Sequence, residues 1–147
     1  MNHIIVLTHG DFCEGIAQSC RFILGDVADI HTISIRMDSS IESVIEMLEA
    51  KVSGFGDAPV IVATDIPGGS TSQAALSILP GHSNMYLVTG LNLGLLLELA
   101  LMDIGDDLES NLNTIREAVK EVREQLMLLN DTIECTDESV LEEDGEL

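Results

Sequence analysis

The sequence predicts an α/β domain: a mainly parallel four-stranded sheet, doubly wound in the order 2-1-3-4, with helices on both faces. Two observations carry this. Stretches of strand character and stretches of helical periodicity alternate four times, and an extra helix follows; such alternation argues for a parallel sheet with crossover helices. Two of the strands, Ile4-Ile5-Val6-Leu7 and Val60-Ile61-Val62-Ala63, are apolar throughout, as strands buried on both faces must be. Each runs into a polar residue and then glycine, at Thr8-His9-Gly10 and at Thr64-Asp65-Ile66-Pro67-Gly68-Gly69-Ser70. In open α/β sheets ligands bind beyond the carboxyl ends of the strands, where these two exits lie.

The elements follow in order. After the first strand, Ile16, Cys20, Ile23 and Leu24 have helical spacing, and Gly25 ends that helix. Asp11 and Glu14 sit near its start, where the helix dipole favours acids. Residues 30–35 alternate apolar and polar and form a second, less buried strand; His31 on it reads as a surface or half-buried strand residue. Ser39 with Glu42 forms a capping box for the next helix, whose stripe is Ile41, Val44, Ile45, Leu48 and Val52. The third strand runs from Ala58 to Thr64. Ser70, Thr71 and Ser72 are N-cap candidates for the helix after it, and Pro80-Gly81 stops that helix. Met85–Thr89 is the fourth strand. Leu93 to Met102 is an apolar helix with Glu98 as its one charge, so most of its surface should be buried. The last helix, Ser110 to Leu129, carries Leu112, Ile115, Val119, Val122 and Leu126, a seam for the sheet or for another subunit.

The chain has 147 residues, enough for one domain with a sizeable core, and that core must be aliphatic because there is no Trp and only one Tyr. Three cysteines without metal-ligand spacing read as free thiols in a reducing compartment, and no apolar run reaches bilayer length; a cytoplasmic location follows as the expectation. The net charge of −20 argues against nucleic acid and anionic lipid as partners. Eight of the acids lie in residues 131–147, which hold no base. Residues 1–135 are expected to be the domain, and 136–147 an acidic, disordered tail.

In a 2-1-3-4 sheet the first and third strands are neighbours, ~4.8 Å apart, so His9 and Asp65 end adjacent strands on one edge. A carboxylate that accepts one imidazole N–H fixes the tautomer and leaves the other nitrogen as a nucleophile. Beside the pair, Gly68-Gly69-Ser70 opens a helix; two glycines admit close backbone approach, and the free N–H groups of a helix start form an anion cradle. A nucleophilic histidine, an orienting acid and a cradle together point to phosphoryl transfer through phosphohistidine. The turn lacks the lysine of a P-loop and no G-x-G-x-x-G follows the first strand, which disfavours nucleotide binding. A metal site from His3, His9, Asp65 and Cys13 is disfavoured as well, because His3 lies at the far end of its strand from His9. No cofactor and no metal are assigned.

These residues carry a resemblance. Ile5-Val6-Leu7-Thr8-His9-Gly10, with Asp65-Ile66-Pro67-Gly68-Gly69-Ser70-Thr71-Ser72-Gln73-Ala74-Ala75, resembles the mannose-family IIA domain of the phosphoenolpyruvate-dependent sugar phosphotransferase system. The likeness in motif, order and length spans about residues 1–130. It implies that His9 is phosphorylated, that Asp65 pairs with it, and that Ser70 helps to bind the phosphoryl group, which the cradle read above at Gly68, Gly69 and Ser70 would hold. It further implies the phosphocarrier protein HPr as donor, a IIB domain or subunit as acceptor, and a membrane contact only indirectly, through the permease complex. A cytoplasmic homodimer with an antiparallel edge strand exchanged from the partner's C-terminal segment is implied too. Leu126-Met127-Leu128-Leu129 is apolar enough to need such cover. Thr71-Ser72-Gln73 departs from the family's usual Pro, variable residue and Asn. The acidic tail is unlike the Pro/Ala linker that joins some members to a IIB domain. The alternatives are a regulatory phosphohistidine module of the same fold, the phosphocarrier subunit of a dihydroxyacetone kinase, and a non-enzymatic dimeric interaction domain using its last helix.

Overall fold

The computed structural model describes residues 1–134. Strands β1 (His3–His9), β2 (Asp29–Ile35), β3 (Val60–Thr64) and β4 (Met85–Thr89) form one parallel sheet in the order β2-β1-β3-β4. The helices are α1 (Phe12–Leu24), α2 (Ile41–Ser53), α3 (Ser70–Ile78), α4 (Leu93–Leu101), α5 (Leu108–Arg123) and α6 (Leu129–Glu134), with a 3-10 turn at Leu79–Gly81. The strand order is the expected one, and the acidic tail lies outside the described residues.

Why β1 and β3 are apolar throughout is plain from the two cores. Successive strand side chains point to opposite faces. Ile4 and Val6 of β1, Ile61 and Ala63 of β3, and Tyr86 and Val88 of β4 pack with α1, α4 and α5. Ile5, Leu7, Val60, Val62 and Met85 pack with α2 and α3 on the other face. Ile4, Ile5, Val6 and Leu7 have no solvent exposure. Each such side chain contributes roughly 1.5–3 kcal/mol relative to leaving it in water. β2 is an edge strand, and only Ile30 and Ile33 on it are buried, which is why its sequence is more polar.

Several boundaries differ from the sequence expectation. The cap of α2 is Ser40, whose hydroxyl accepts from the Ser43 N–H at 3.1 Å; the Ser39 hydroxyl instead accepts from the Arg36 N–H. The two serines compete for one role, and the loop from Arg36 claims the first. Helix α3 starts on Ser70 with Gly69 as its cap and no side-chain cap bond, so none of Ser70, Thr71 and Ser72 is the cap. β3 begins at Val60. Helix α5 stops at Arg123, where Glu124 and Gln125 donate to carbonyls three residues back and tighten the last turn. Ile115 and Val122 are buried and Leu112 and Val119 half-buried against the α1–α4 core, so this part of the seam packs within the chain. Leu126 lies beyond the helix and is 91% exposed.

A buried polar residue holds the α4–α5 connection. Asn111 donates to the Tyr86 hydroxyl and to the Gly105 carbonyl, and its own carbonyl accepts from the Gly105 N–H at 3.0 Å. The amide thus ties β4 to a loop that Met102 and Ile104 also anchor on the core.

Candidate active site

Both loops of interest leave the carboxyl edge of the sheet from its two central strands. At the end of β1, the buried Thr8 hydroxyl accepts from the Cys13 N–H at 2.8 Å and so satisfies a first-turn donor of α1. Asp11, the residue before α1, makes no side-chain cap bond and pairs with Arg36 at 2.7 Å. Gly10 has a φ of +58°, a conformation costly for any residue with a Cβ. Its N–H bonds the Ile35 carbonyl and its carbonyl accepts from the Ser34 hydroxyl. The backbone on either side of His9 is therefore fixed by β2 and by the start of α1.

His9 and Asp65 meet across the β1–β3 boundary. The His9 main-chain N–H donates to Asp65 Oδ2 at 2.9 Å, and Nδ1 of the same residue lies 2.8 Å from that oxygen. The other carboxylate oxygen, Oδ1, accepts from the Ile66 N–H at 3.1 Å and from the Thr71 hydroxyl at 2.8 Å. Burial alone would raise the Asp65 carboxyl; the hydrogen bonds from His9 and Thr71, with the nearby imidazole charge, outweigh it and hold the carboxyl below its ordinary value. An ionised Asp65 makes Nδ1 the protonated nitrogen of a neutral His9. Nε2 then carries the lone pair, and it lies 3.2 Å from Ser70 Oγ, whose hydroxyl donates to it.

The glycines of the turn have separate roles. Gly68 has a φ of +74°, which turns the chain into α3. Gly69 has ordinary dihedrals, but a Cβ there would lie 3.2 Å from His9 Cε1 and 3.2 Å from Ile66 Cγ1. The turn thus passes so close to the ring that a Cβ would require the ring or Ile66 to shift by a few tenths of an ångström. With Gly69 as a cap lacking a side chain, the first N–H groups of α3 are left available at the edge where His9 Nε2 lies. The site therefore brings together all five residues singled out in the sequence: His9, Asp65, Gly68, Gly69 and Ser70.

Sequence reasoning missed the hydroxyls beneath the turn. Thr71 is buried against Asp65. Ser72, also buried, lies within hydrogen-bond distance of the Thr64 hydroxyl at 2.8 Å, the Ile66 carbonyl at 2.7 Å and the Thr89 hydroxyl at 3.2 Å, joining β3, β4 and α3. The available signal was three consecutive hydroxyl residues after Gly-Gly, more than one N-cap needs. The remaining histidines lie elsewhere. His3, at the opposite end of β1, has Nδ1 2.9 Å from Asp29, and His31 Nε2 lies 2.9 Å from the same carboxylate; Phe55 packs on both rings. His82 pairs with Glu49 at 2.7 Å. Cys13 is buried, with its sulfur toward the Gly10 carbonyl.

A doubly covered parallel sheet with a histidine–carboxylate pair and an open helix start at its carboxyl edge defines a class of α/β domain with its candidate site at that edge. The comparisons with known proteins narrow the class to one family. Residues 3–116 match the family model described as the PTS system fructose IIA component, and the chain belongs to this family, whose members are phosphotransferase components of sugar transport. The sorbose-specific EIIA component of Klebsiella pneumoniae is 27% identical over 99 residues, 67% of this chain and 73% of that protein. The fructose-specific EIIA component of Bacillus subtilis (strain 168) is 26% identical over 118 residues, 75% of this chain and 81% of that protein. Among solved structures, the PTS IIA protein associated with the fucose utilization operon from Streptococcus pneumoniae superposes with a TM-score of 0.74 at 26% identity, covering 90% of this chain and 96% of that one. Among the described residues, no helix is long and apolar enough to cross a membrane.

Proposed function

We propose that this chain is a phosphoryl carrier in which His9 Nε2 accepts phosphate from phospho-HPr and passes it to a IIB domain or subunit for sugar uptake. In the first step the Nε2 lone pair attacks phosphorus. An N–P bond forms as the bond from phosphorus to the donor breaks, its electron pair leaving with the donor. The Nδ1 proton stays in the hydrogen bond to Asp65, whose charge offsets the positive charge that the imidazole gains. The Ser70 hydroxyl turns from Nε2 to a phosphoryl oxygen, and the N–H groups of Gly69 and Ser70 face the same charge. Transfer to the acceptor is the reverse step on a different partner. The reaction needs no cofactor and no metal.

The observation that carries this reading is the fork around one ring: carboxylate at Nδ1, hydroxyl and helix start at Nε2. Macromolecular partners fit the surroundings. The His9 side chain is 43% exposed, and Phe12, Met37 and Ile66 on adjoining loops are exposed apolar residues. A protein face covers such a surface better than a small substrate does. The segment that follows α5 supports a homodimer: Leu126, Met127, Leu128, Leu129 and Ile133 are all exposed in the single chain. A cytoplasmic location follows from HPr as donor.

Incubation with phosphoenolpyruvate, the first enzyme of the system and HPr should add one phosphoryl group, mapped to His9 by peptide mass spectrometry. The modification should be labile in acid and stable in alkali. His9→Ala should remove it, while substitution of His3, His31 or His82 should not. Release of the phosphate on addition of a IIB protein and sugar completes the test. A phosphate mapped to Cys13, Ser70 or another histidine refutes the assignment. Phosphorylation of His9 without discharge to any IIB protein refutes the transport role and leaves the regulatory module.

A further inference from the structure

Thr71 makes a contact that neither its helix nor the phosphoryl group requires. Its side chain is fully buried, and its hydroxyl donates to Asp65 Oδ1 at 2.8 Å, on the carboxylate oxygen that faces away from His9. With the Ile66 N–H on the same oxygen and both His9 N–H groups on Oδ2, the carboxylate has a donor in each of its four lone-pair directions.

We propose that Thr71 is a positioning residue for His9: its hydroxyl locks the Asp65 carboxylate with Oδ2 at the ring and draws off part of the negative charge that Oδ2 presents to Nδ1. A carboxylate that shares its charge with an extra donor is a weaker base, so it holds the Nδ1 proton less strongly and makes the imidazole less basic than an unshared carboxylate would. The low-lying Asp65 carboxyl, to which the Thr71 hydroxyl contributes, agrees with this. The effect on transfer rests on His9 being the phosphoryl acceptor: a less stabilised phosphoimidazole gives up its phosphoryl group more readily. The effect on the resting ring does not rest on it.

Other charges border the ring. Arg36 and Asp38 line an open cavity of about 480 Å³ beside His9, and Arg36 is paired with Asp11. Helix α3 has neither acid nor base in its first and last turns, and the β4–α4 connection contributes Thr89 and Asn92. None of these changes when Thr71 is replaced, so a difference between variants reports the hydroxyl.

The test is a nitrogen-detected NMR titration of the histidine rings in the full chain. Thr71→Val, which keeps the shape and removes the hydroxyl, should raise the His9 midpoint by roughly half a unit to one unit. Thr71→Ser should restore it, and the midpoints of His3, His31 and His82 in the same spectra should not move. Thr71→Pro, which the first turn of a helix accepts, serves as a second variant without the hydroxyl and should give the same rise even if Val disturbs the fold. In transfer assays, Thr71→Val should lower kcat for discharge to the acceptor ~3- to 10-fold with KM unchanged. An unmoved His9 midpoint in both Thr71→Val and Thr71→Pro overturns the proposal, even if His9 is phosphorylated normally. A wild-type chain that is not phosphorylated at His9 overturns the carrier reading and leaves the titration result standing.

Discussion

Replacing Asp65 by Asn removes one negative charge and one acceptor atom from the centre of the site. The consequence can be worked from the contacts. All four partners of the carboxylate are donors: two N–H groups of His9 on Oδ2, the Ile66 N–H and Thr71 hydroxyl on Oδ1. The asparagine amide must point its NH2 at one of these pairs. Turned toward Oδ1's partners it meets a hydroxyl that can rotate to accept, so only the Ile66 N–H loses its bond. Turned toward His9 it opposes a main-chain N–H and forces Nδ1 to become the acceptor, which moves the ring proton to Nε2. The first orientation keeps the tautomer and loses the charge and the Ile66 bond. Unit charges 2.8 Å apart interact by about 6 kcal/mol at an effective dielectric constant of 20. An imidazole with half its positive charge developed in the transition state therefore loses about 3 kcal/mol, close to a 10²-fold rate. If the second orientation is populated, the wrong tautomer carries the loss toward ~10⁴, the cost of the same substitution in serine-protease triads. Rapid-quench measurement of phosphoryl transfer from phospho-HPr gives the rate, and circular dichroism shows whether the fold is kept. A well-folded Asp65→Asn chain that is phosphorylated at the wild-type rate refutes the orienting role.

Three further outcomes are expected. Gly69→Ala should keep the fold, because Gly69 has ordinary dihedrals, but its Cβ must push the His9 ring or Ile66 by a few tenths of an ångström; a phosphoryl-transfer rate down roughly tenfold is expected, and an unchanged rate removes the close approach from the mechanism. A chain ending at Glu124 should sediment as a monomer if the exposed apolar segment is the dimer contact; a well-folded dimer of that length places the contact elsewhere. Asp65 and Asp29 both have carboxyls held below the ordinary value: at each, burial opposes the shift, and hydrogen bonds, from His9 and Thr71 at Asp65 and from His31 and His3 at Asp29, prevail. Their stabilisation is present above the unfolded value of about 3.9 and is lost as pH falls from there through the folded values, so the melting temperature of the wild-type chain should fall more steeply below about pH 4 than that of Asp65→Asn or Asp29→Asn.

The parts of the molecule governed by apolar pattern were legible in the sequence. A strand such as Ile4–Leu7, with no polar residue on either face, admits only a sheet covered on both sides. Once β1 and β3 are neighbours, His9 and Asp65 must meet. What the sequence did not disclose were choices among equivalent groups. Ser39 and Ser40 can each cap α2, and only the geometry of the loop from Arg36 decides between them. Leu126 continues the seam of α5 by spacing, yet the helix has already tightened and ended. Thr71 and Ser72 read as N-cap candidates after two glycines, whereas burial turns their hydroxyls inward, onto Asp65 and onto the ends of β3 and β4. Hydroxyl residues in a glycine-rich turn have no periodicity to betray which way they face.

The two ends of β1 invite a comparison that the chain performs on itself. His3 and His9, at opposite ends of the seven-residue β1, each have Nδ1 beside an aspartate, at 2.9 Å from Asp29 at the start of β2 and 2.8 Å from Asp65 just beyond β3. His3 has Phe55 against its ring; His9 has the start of α3. A small phosphoryl donor such as phosphoramidate, which docks with neither, offers both imidazoles the same reagent in the same tube. The ratio of phosphate on the two rings then compares an imidazole whose carboxylate is shared with His31 and whose face is covered by Phe55 with one that stands at a glycine turn and a helix start. The strand carries its own reference reaction.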